Sequence, residues 1–357
     1  MKKYIALMGL GLIALSCNES KKVVAPAAPS EPVLIDVTSL ESNENDVRKY
    51  TNTITANELQ DMLYVFAGDD FEGRNTGDPG QKKAAAYLVN YYKQLEVAPG
   101  NNGDYYQIVP NTFFRKGSDL NDSENILAFI EGSEKPEEVL VLSAHLDHVG
   151  MDSKGNVFNG ADDDGSGTVA LLEIAEAFKQ AVKDGKGPKR SILFLHVTGE
   201  EKGLYGSRFY SENPVYPLAN TIADLNIDMI GRNDDAHLED NNYVYLIGSD
   251  KLSTDLHNVS SAVNAKYFDI NLDYRYNVEN EPNRFYYRSD HYNFAKKNVP
   301  IIFYFNGTHE DYHKIGDTPD KINYPLLEKR TKLVFATAWE LANRKDRPVV
   351  DKAEKEE

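Results

Sequence analysis

The chain has 357 residues, of which 41% are hydrophobic, and its formal net charge is −17 at pH 7. The length exceeds the roughly 100–200 residues typical of one domain, although single α/β domains also reach it, and the apolar fraction suffices for a sizeable core. The negative charge argues against nucleic acid and anionic membrane surfaces as partners, because both would repel it.

The N-terminus has the features of an export signal. Two lysines precede an apolar run, Tyr4 to Leu15, which is too short to span a bilayer as a mature helix. The run leads into Cys17 and is similar to a bacterial lipoprotein signal, with Ala14 where such signals usually have leucine. A plain secretory signal is the alternative, but Cys17 is the only cysteine in the chain, which favours a lipid attached there. We therefore predict a signal peptide over 1–16 and a location in the cell envelope, lipid-anchored in the periplasm or at the outer-membrane surface.

Composition divides the rest of the chain into three parts. Residues 17–50 are polar, contain three prolines and show little periodicity, so they are predicted to form a flexible tether. Residues 51–343 are predicted to form one globular domain. The segment 344–357, rich in lysine and acidic residues, is predicted to be a frayed, charged tail.

Apolar periodicity predicts the elements of this domain. Helical spacing marks 57–66, 80–95, 166–182, 203–211, 251–263 and 324–343. Short apolar runs between turn residues predict strands over 125–130, 138–144, 191–197, 222–227, 243–247 and 300–305. Strands that are apolar throughout and alternate with helices indicate a sheet buried on both faces. The predicted fold class is therefore α/β, a three-layer α/β/α sandwich around a central mixed, mostly parallel sheet.

Acidic and histidine side chains stand at the ends of three predicted strands. His145, the pair Glu200 and Glu201, and Asp228 each follow such a strand within a few residues. In open α/β sheets, ligands bind outside the carboxyl ends of the strands. Because turn residues are the usual occupants of strand ends, this set predicts a functional site at that edge of the sheet.

The first motif is His145-Leu146-Asp147. Alternation along an extended segment puts His145 and Asp147 on the same side of the chain. A carboxylate that accepts the second ring N–H of a metal-bound histidine fixes its tautomer, and Asp147 is predicted to have this role. His148, the next residue, is predicted to be a bystander. Taken alone, the triplet also fits an ordinary surface segment.

The second motif is the acidic loop Asn159–Gly167, which contains Asp162, Asp163 and Asp164. Three adjacent carboxylates repel one another unless a cation lies between them. A calcium-type loop or a solvated acidic turn is the alternative interpretation. Ser166 is predicted to cap the helix that follows.

The remaining motifs supply a base and further ligands. Of the adjacent Glu200 and Glu201, one can bind a metal while the other lies within a hydrogen bond, about 2.6–3.2 Å, of the attacking water. Asp228 stands amid apolar residues, where an acid is rarely buried unless it is ion-paired or bound to a metal. His313 is a further ligand candidate, and its neighbour Tyr312 either donates a hydrogen bond to an oxyanion or serves in packing.

Together the candidates form a zinc-binding set. Two histidines and three carboxylates can hold two zinc ions if one carboxylate bridges them, since zinc accepts both donor types and a catalytic site keeps a position open for water. The five candidate ligands are His145, Asp163, Glu201, Asp228 and His313. Asp317 is predicted to orient His313 or to cap the next turn.

Over roughly residues 55–343 the chain resembles the co-catalytic zinc aminopeptidases, a peptidase family that also contains relatives of glutamate carboxypeptidase and glutaminyl cyclase. The resemblance is carried by five motifs in a fixed order: His145-Leu146-Asp147, Gly160–Gly167, Thr198–Glu201, Asn226–Met229 and Tyr312-His313. Two weaker similarities are Phe71–Arg74 and Arg288–His291.

The resemblance implies an α/β/α sandwich and a role for each ligand. By similarity, Asp163 is the carboxylate that bridges two zinc ions. His145 and Asp228 would complete one zinc site, and Glu201 and His313 the other.

The resemblance also implies a reaction. Glu200 would be the general base, Asp147 would support a ligand, and Tyr312 is the candidate oxyanion donor. The expected function is that of a zinc-dependent exopeptidase, an aminopeptidase that hydrolyses N-terminal residues from peptides. The expected partners are peptide substrates, with no nucleic acid and with the membrane contacted only through a lipid on Cys17.

Other activities of the same fold remain open. A glutaminyl cyclase, which uses one zinc ion, and a carboxypeptidase are the enzymatic alternatives. Arg232, Arg284 or Arg288 could bind the carboxylate of a carboxypeptidase substrate unless each forms a structural ion pair. A surface lipoprotein that binds peptide or metal without turnover is the non-enzymatic alternative, which the complete set of ligands and base disfavours.

Overall fold

The computed structural model of the protein describes residues 35–352; the predicted signal peptide, Cys17 and the first half of the predicted tether lie outside them. The helices are α1 (Glu44–Thr51), α2 (Ala56–Phe66), α3 (Pro79–Gln94), α4 (Gly167–Lys183), α5 (Tyr205–Glu212), α6 (Thr254–Tyr267), α7 (His291–Ala295) and α8 (Tyr324–Asn343). The strands are β1 (Ala98–Pro99), β2 (Tyr106–Val109), β3 (Ser123–Ile130), β4 (Lys135–His145), β5 (Gly150–Met151), β6 (Val157–Phe158), β7 (Arg190–Val197), β8 (Thr221–Ile227), β9 (Tyr243–Ile247), β10 (Asn271–Asp273) and β11 (Ile301–Phe305). None of the helices within 35–352 combines the length and the apolar character needed to cross a membrane.

Nine strands form one mixed sheet in the order β1-β3-β7-β4-β8-β11-β9-β10, with β2 paired to β3. The central strands β7, β4, β8 and β11 are parallel neighbours. On either side of them, β3 runs antiparallel to β7 and β9 runs antiparallel to β11. The carboxyl ends of the four central strands therefore meet at one edge of the sheet.

Helices cover both faces of this sheet, which confirms the predicted three-layer α/β fold. Successive residues of a strand point to opposite faces, and in β4 the side chains of Leu140 and Leu142 join one core while Val139 and Val141 join the other. The larger core packs under α2, α3, α4, α6 and α8. The smaller core packs under α5 and α7.

The local signals of helix α2 explain why its position was predictable. Thr55 caps the helix, because its hydroxyl oxygen accepts a hydrogen bond from the backbone N–H of Glu58 and its hydroxyl donates to the Glu58 carboxylate. Leu59, Leu63 and Phe66 then recur at helical spacing and are fully buried. The helix begins at Ala56, one residue before the predicted start.

The prediction of a flexible tether is wrong for its second half. Residues Glu44–Thr51 form α1, and its Tyr50 is buried and stacks on Trp339 with a centroid distance of 5.1 Å. The Glu340 carboxylate accepts hydrogen bonds from the backbone N–H groups of Glu41 and Ser42. An eight-residue helix is marginal by itself, so these contacts with α8, distant in sequence, stabilise it.

The prediction of a frayed tail is also wrong as far as the structure describes it. The Asp351 carboxylate accepts from the backbone N–H of Thr254 at 2.9 Å, and the Asp351 N–H donates to the carbonyl of Leu252. Arg344 forms an ion pair of 3.1 Å with Asp255. Residues 344–352 therefore lie against the start of α6.

Candidate metal centre

The predicted site residues converge at the carboxyl edge of the central strands. His145 is the last residue of β4, and Asp228 directly follows β8, which is its neighbour in the sheet. Glu200 and Glu201 stand in the turn after β7, the neighbour of β4 on the other side. The loop before α4 adds Asp163, whose peptide bond to Asp164 is cis.

The first cluster combines His145, Asp163 and Asp228. The Nε2 atom of His145 lies 3.2 Å from Oδ1 of Asp163 and 3.5 Å from Oδ1 of Asp228. All three residues are buried, with Asp228 the most accessible at 8%. Their ligand atoms are close enough to surround a single metal ion.

The second cluster shares Asp163 with the first. The Nε2 atom of His313 lies 3.0 Å from Oδ2 of Asp163 and 3.1 Å from Oε2 of Glu201. The His313 side chain is 38% exposed, so this side of the centre faces solvent. One carboxylate thus reaches both clusters with its two oxygens, which is the arrangement a bridging ligand requires.

The chemistry of these atoms fits bound cations. Oδ2 of Asp163 and Nε2 of His145 are buried and make no hydrogen bond of normal geometry within residues 35–352, although ligand-type atoms lie 3.0–3.5 Å from them. Burial lowers the pKa of His313, but its contacts with Asp163 and Glu201 outweigh burial and raise that pKa to about 10. A proton on the imidazole therefore offsets the carboxylate charge, and metal binding would displace that proton.

Glu200 stands beside both clusters without joining either. It lines the same pocket as Asp163 and Asp228. Burial raises the pKa of Glu200 well above its ordinary value, and the charges of Asp228 and Glu201 raise it further. A carboxylate with a raised pKa accepts a proton more readily, as a general base requires. Its position depends on a turn at Gly199, whose φ of +67° favours glycine.

Asp147 lies behind His145 but makes a different contact from the one predicted. The Nδ1 atom of His145 is 3.0 Å from the backbone carbonyl oxygen of Asp147, whereas the Asp147 carboxylate is 3.9 Å away. That carboxylate accepts from the Thr76 hydroxyl at 2.6 Å and from the backbone N–H of Glu200 at 3.2 Å. The Asp147 carboxylate therefore holds the turn that carries Glu200. The backbone carbonyl of Asp147, and not its carboxylate, contacts the imidazole ring of His145.

The acidic loop uses its three aspartates differently. Asp164 accepts hydrogen bonds from the backbone N–H groups of His145, Gly167 and Met229, and so ties the loop to the ends of β4 and β8. Asp162 accepts from the backbone N–H of Gly231 at 2.7 Å. The two flanking carboxylates thus build the scaffold, and Asp163 alone points to both clusters.

The predicted cap at Ser166 is absent. Ser166 has helical backbone angles, and its hydroxyl donates to the carbonyl of Asp162 and accepts from the backbone N–H of Ile230. It therefore links the acidic loop to the segment after β8. A serine before a helix can cap the helix or bond to another segment, and here the segment after β8 supplies the partner of the hydroxyl.

Two buried residues, Asp317 and Arg74, position Asp163 in ways that the sequence did not predict. Asp317 was expected to orient His313 or to cap a turn, but its carboxylate accepts from the backbone N–H groups of Asp162 and Asp163 at 3.0–3.1 Å. Arg74 donates to the carbonyls of Leu146, Phe66, Asn159 and Gly160 and so joins the two ligand loops. The only sequence signal was the stretch Phe71–Arg74, which resembles the family without indicating a role.

The interpretation of His148 as a bystander is wrong. Its ring is fully buried, and Nδ1 lies 2.9 Å from Oε1 of Glu201 and 3.7 Å from Oδ2 of Asp163. The other Glu201 oxygen faces His313. His148 therefore contacts Glu201 within the second cluster and can orient it, and His148, Asp163 and Glu201 also place ligand-type atoms close enough together for one metal ion.

Replacing His148 with alanine is expected to weaken zinc binding by about 10- to 100-fold, the usual effect of losing a residue that orients a ligand. The His148→Asn variant keeps an N–H near the position of Nδ1 and should retain most of the affinity. Competition with a chromogenic chelator measures this. Equal affinities of the alanine variant and the unmodified protein would contradict the role of His148.

Comparison with known proteins agrees with this geometry. The family model described as Peptidase family M28 matches residues 125–338, more than half of the chain. A protein of Arthroderma benhamiae described as "Probable leucine aminopeptidase" is 28% identical over 308 residues, which are 84% of this chain and 77% of that protein.

Solved structures agree in fold. The LapA aminopeptidase of Legionella pneumophila superimposes with a TM-score of 0.66 at 22% identity, covering 86% of this chain and 77% of that one. A Zn-dependent exopeptidase from Parabacteroides distasonis gives a TM-score of 0.63 at 20% identity, covering 80% of this chain and 98% of that one. At these identities the likeness bears on the fold alone.

Proposed function

This chain belongs to peptidase family M28, and on that premise we propose that it is an aminopeptidase that works with two zinc ions. It is a metallopeptidase, a hydrolase of peptide bonds. The observation that carries the two-zinc proposal is the position of Asp163, whose two oxygens contact ligand-type side chains of two separate clusters.

Each of the two proposed zinc ions would have its own ligands in addition to Asp163. His145 and Asp228 with Asp163 would hold one zinc ion. Glu201 and His313 with Asp163 would hold the other. Zinc supplies Lewis acidity in such sites: it lowers the pKa of a water molecule and polarises a carbonyl group.

Glu200 moves the proton in this proposal. Its carboxylate accepts a proton from the attacking water as oxygen bonds to the peptide carbon. It then donates that proton to the nitrogen of the departing amine when the C–N bond breaks. Burial raises the pKa of Glu200 above its ordinary value, which favours uptake of the proton from the attacking water.

Tyr312 is positioned to donate a hydrogen bond. Burial, aided by the nearby carboxylates Asp163 and Asp228, raises the pKa of Tyr312. The phenol therefore keeps its proton throughout the working pH range. Its O–H can stabilise the carbonyl oxygen as that atom gains negative charge.

The pocket beside the clusters supports recognition of the N-terminal residue. Its apolar wall consists of Met229, Phe285, Phe303 and Phe305. This wall suits an uncharged side chain, in keeping with the relative described as a leucine aminopeptidase. Asp163, Glu200 and Asp228 line the same pocket, and their carboxylates can attract the ammonium group of a free peptide N-terminus.

A matched pair of substrates tests this proposal. Leucyl-p-nitroanilide and its N-acetyl derivative have the same scissile bond, and only the first has a free ammonium group. We expect the protein to cleave the first alone, to lose activity with a chelator and to regain it with zinc. Cleavage of both at similar rates would contradict an aminopeptidase, and release of pyroglutamate from N-terminal glutamine with one zinc per chain would identify a cyclase.

We also propose that the enzyme works in the cell envelope. The support is the sequence alone, namely the signal-like segment that ends at Cys17. Metabolic labelling with a fatty acid would test it. Loss of the label in Cys17→Ser would support lipid attachment, and an unlabelled parent protein would contradict it.

A further inference from the structure

One positive charge lies among the carboxylates of the substrate pocket. Among the described residues that line this pocket, the ionisable acids are Asp163, Glu200 and Asp228, and Arg288 alone is cationic. The Arg288 side chain is exposed at the mouth of the pocket. A substrate that enters the pocket therefore passes a guanidinium before it reaches the centre.

Arg288 has no acidic partner of its own within residues 35–352. The guanidinium of Arg232 pairs with Asp311 at 3.1 Å, as expected for a structural arginine. Arg288 instead lies over the ring of Phe285, 5.0 Å from its centroid, and one Nη2 atom is 3.5 Å from the hydroxyl of Tyr312. Most of its five N–H donors are left for a ligand.

The backbone that carries Arg288 is held firmly. Its N–H donates to the carbonyl of Phe285, and the Glu281 carboxylate in turn accepts from the N–H of Phe285. On the other side, the hydroxyl of Ser289 accepts from the buried side chain of Asn226. Because this backbone is held in place, only the side-chain torsions of Arg288 remain to be ordered when a ligand binds.

We propose that Arg288 binds the terminal carboxylate of a short peptide, so that dipeptides with a free C-terminus are preferred substrates. This inference rests on the proposed function, because the N-terminal residue must occupy the apolar pocket. In a dipeptide the carboxylate is one residue beyond the scissile bond. The arginine fork pairs with a carboxylate through two parallel hydrogen bonds.

Electrostatics explains why a cation is needed there. A dipeptide carboxylate approaches a chain of net charge −17, and the charge of the two proposed zinc ions is largely balanced by the carboxylates that would hold them. Without a cation this approach is repulsive, whereas a peptide amide has no such penalty. Arg288 therefore discriminates in favour of the free C-terminus.

The test compares three substrates, leucyl-glycine, leucyl-glycinamide and N-acetyl-leucyl-glycine. We expect Arg288→Gln to lower kcat/KM for leucyl-glycine by about 10- to 100-fold, mainly through KM, because a charge-assisted hydrogen bond is lost. The loss on leucyl-glycinamide should be at least about tenfold smaller, because the contact of Arg288 with Tyr312 acts on both substrates alike, and Arg288→Lys should recover part of the loss on leucyl-glycine.

Arg284→Gln is the matched control. Arg284 is also exposed and lies over a ring, that of Tyr287 at 4.9 Å, but it lines a separate cavity of about 540 Å³. Its replacement should leave both free-amine substrates unaffected. The control thus removes the same charge from the same surface segment.

The outcomes separate this inference from the proposed function. Equal losses on leucyl-glycine and its amide in Arg288→Gln would overturn the carboxylate contact. Failure of the unmodified protein to cleave either free-amine substrate would overturn the proposed function instead. Cleavage of N-acetyl-leucyl-glycine that depends on Arg288 would support the carboxylate contact while refuting the aminopeptidase.

Discussion

Glu200→Gln is expected to lower kcat by about 10²–10⁴-fold, the usual contribution of a general base, while zinc content stays unchanged. The amide has nearly the same size as the carboxylate but cannot accept the proton of the attacking water. It also removes a charge that burial disfavours, so the fold should not lose stability. Steady-state kinetics and metal analysis of the same preparation give the two readouts.

The adjacent Glu201→Gln is the matched control for this experiment. The same chemical change there removes a group that lies 3.1 Å from His313, so we expect zinc content to fall together with activity. Near-normal turnover of Glu200→Gln with zinc bound would refute the assignment of the base. Loss of zinc from Glu200→Gln would show that this carboxylate is a ligand.

Asp163→Asn is expected to abolish activity and to release both zinc ions, because a neutral amide bridges two cations poorly. The comparison variant is Asp228→Asn. Asp228 contacts His145 in the first cluster only, so this change should leave about one zinc ion per chain.

Metal content measured by mass spectrometry, with circular dichroism to verify folding, distinguishes the two variants. Retention of two zinc ions in folded Asp163→Asn would contradict the bridging role. Equal stoichiometries in the two variants would show that the ions do not share this carboxylate.

The positions of the strands, and hence the edge where the site lies, followed from local sequence. β4, β7 and β8 are short apolar runs, and such runs are typical of strands that are buried on both faces of a sheet. The structure has all six predicted strands and all six predicted helices, with ends that differ by a few residues. The parallel arrangement of the central strands brings His145, Glu201 and Asp228 together.

The supports around the ligands did not follow from sequence. Arg74 is 86 residues from Gly160, to which it donates, and Asp317 is 154 residues from Asp163. The pattern of apolar residues along the sequence does not distinguish a buried arginine or aspartate from an exposed one. The same limit applies to His148, whose partner Glu201 lies in the turn after another strand, β7.

The sequence alone determined the alternation of strands and helices, the residues able to bind zinc and the resemblance to a family. These depend on side-chain type and on spacing along the chain. Only the tertiary structure decided that Asp147 holds the turn of Glu200 and that residues 41–51 and 344–352 pack on the domain. It also placed Arg288 at the pocket, next to Tyr312 and without an acidic partner among the described residues. Each of these depends on contacts between distant segments, where burial and the nearest available partner determine what a polar side chain does.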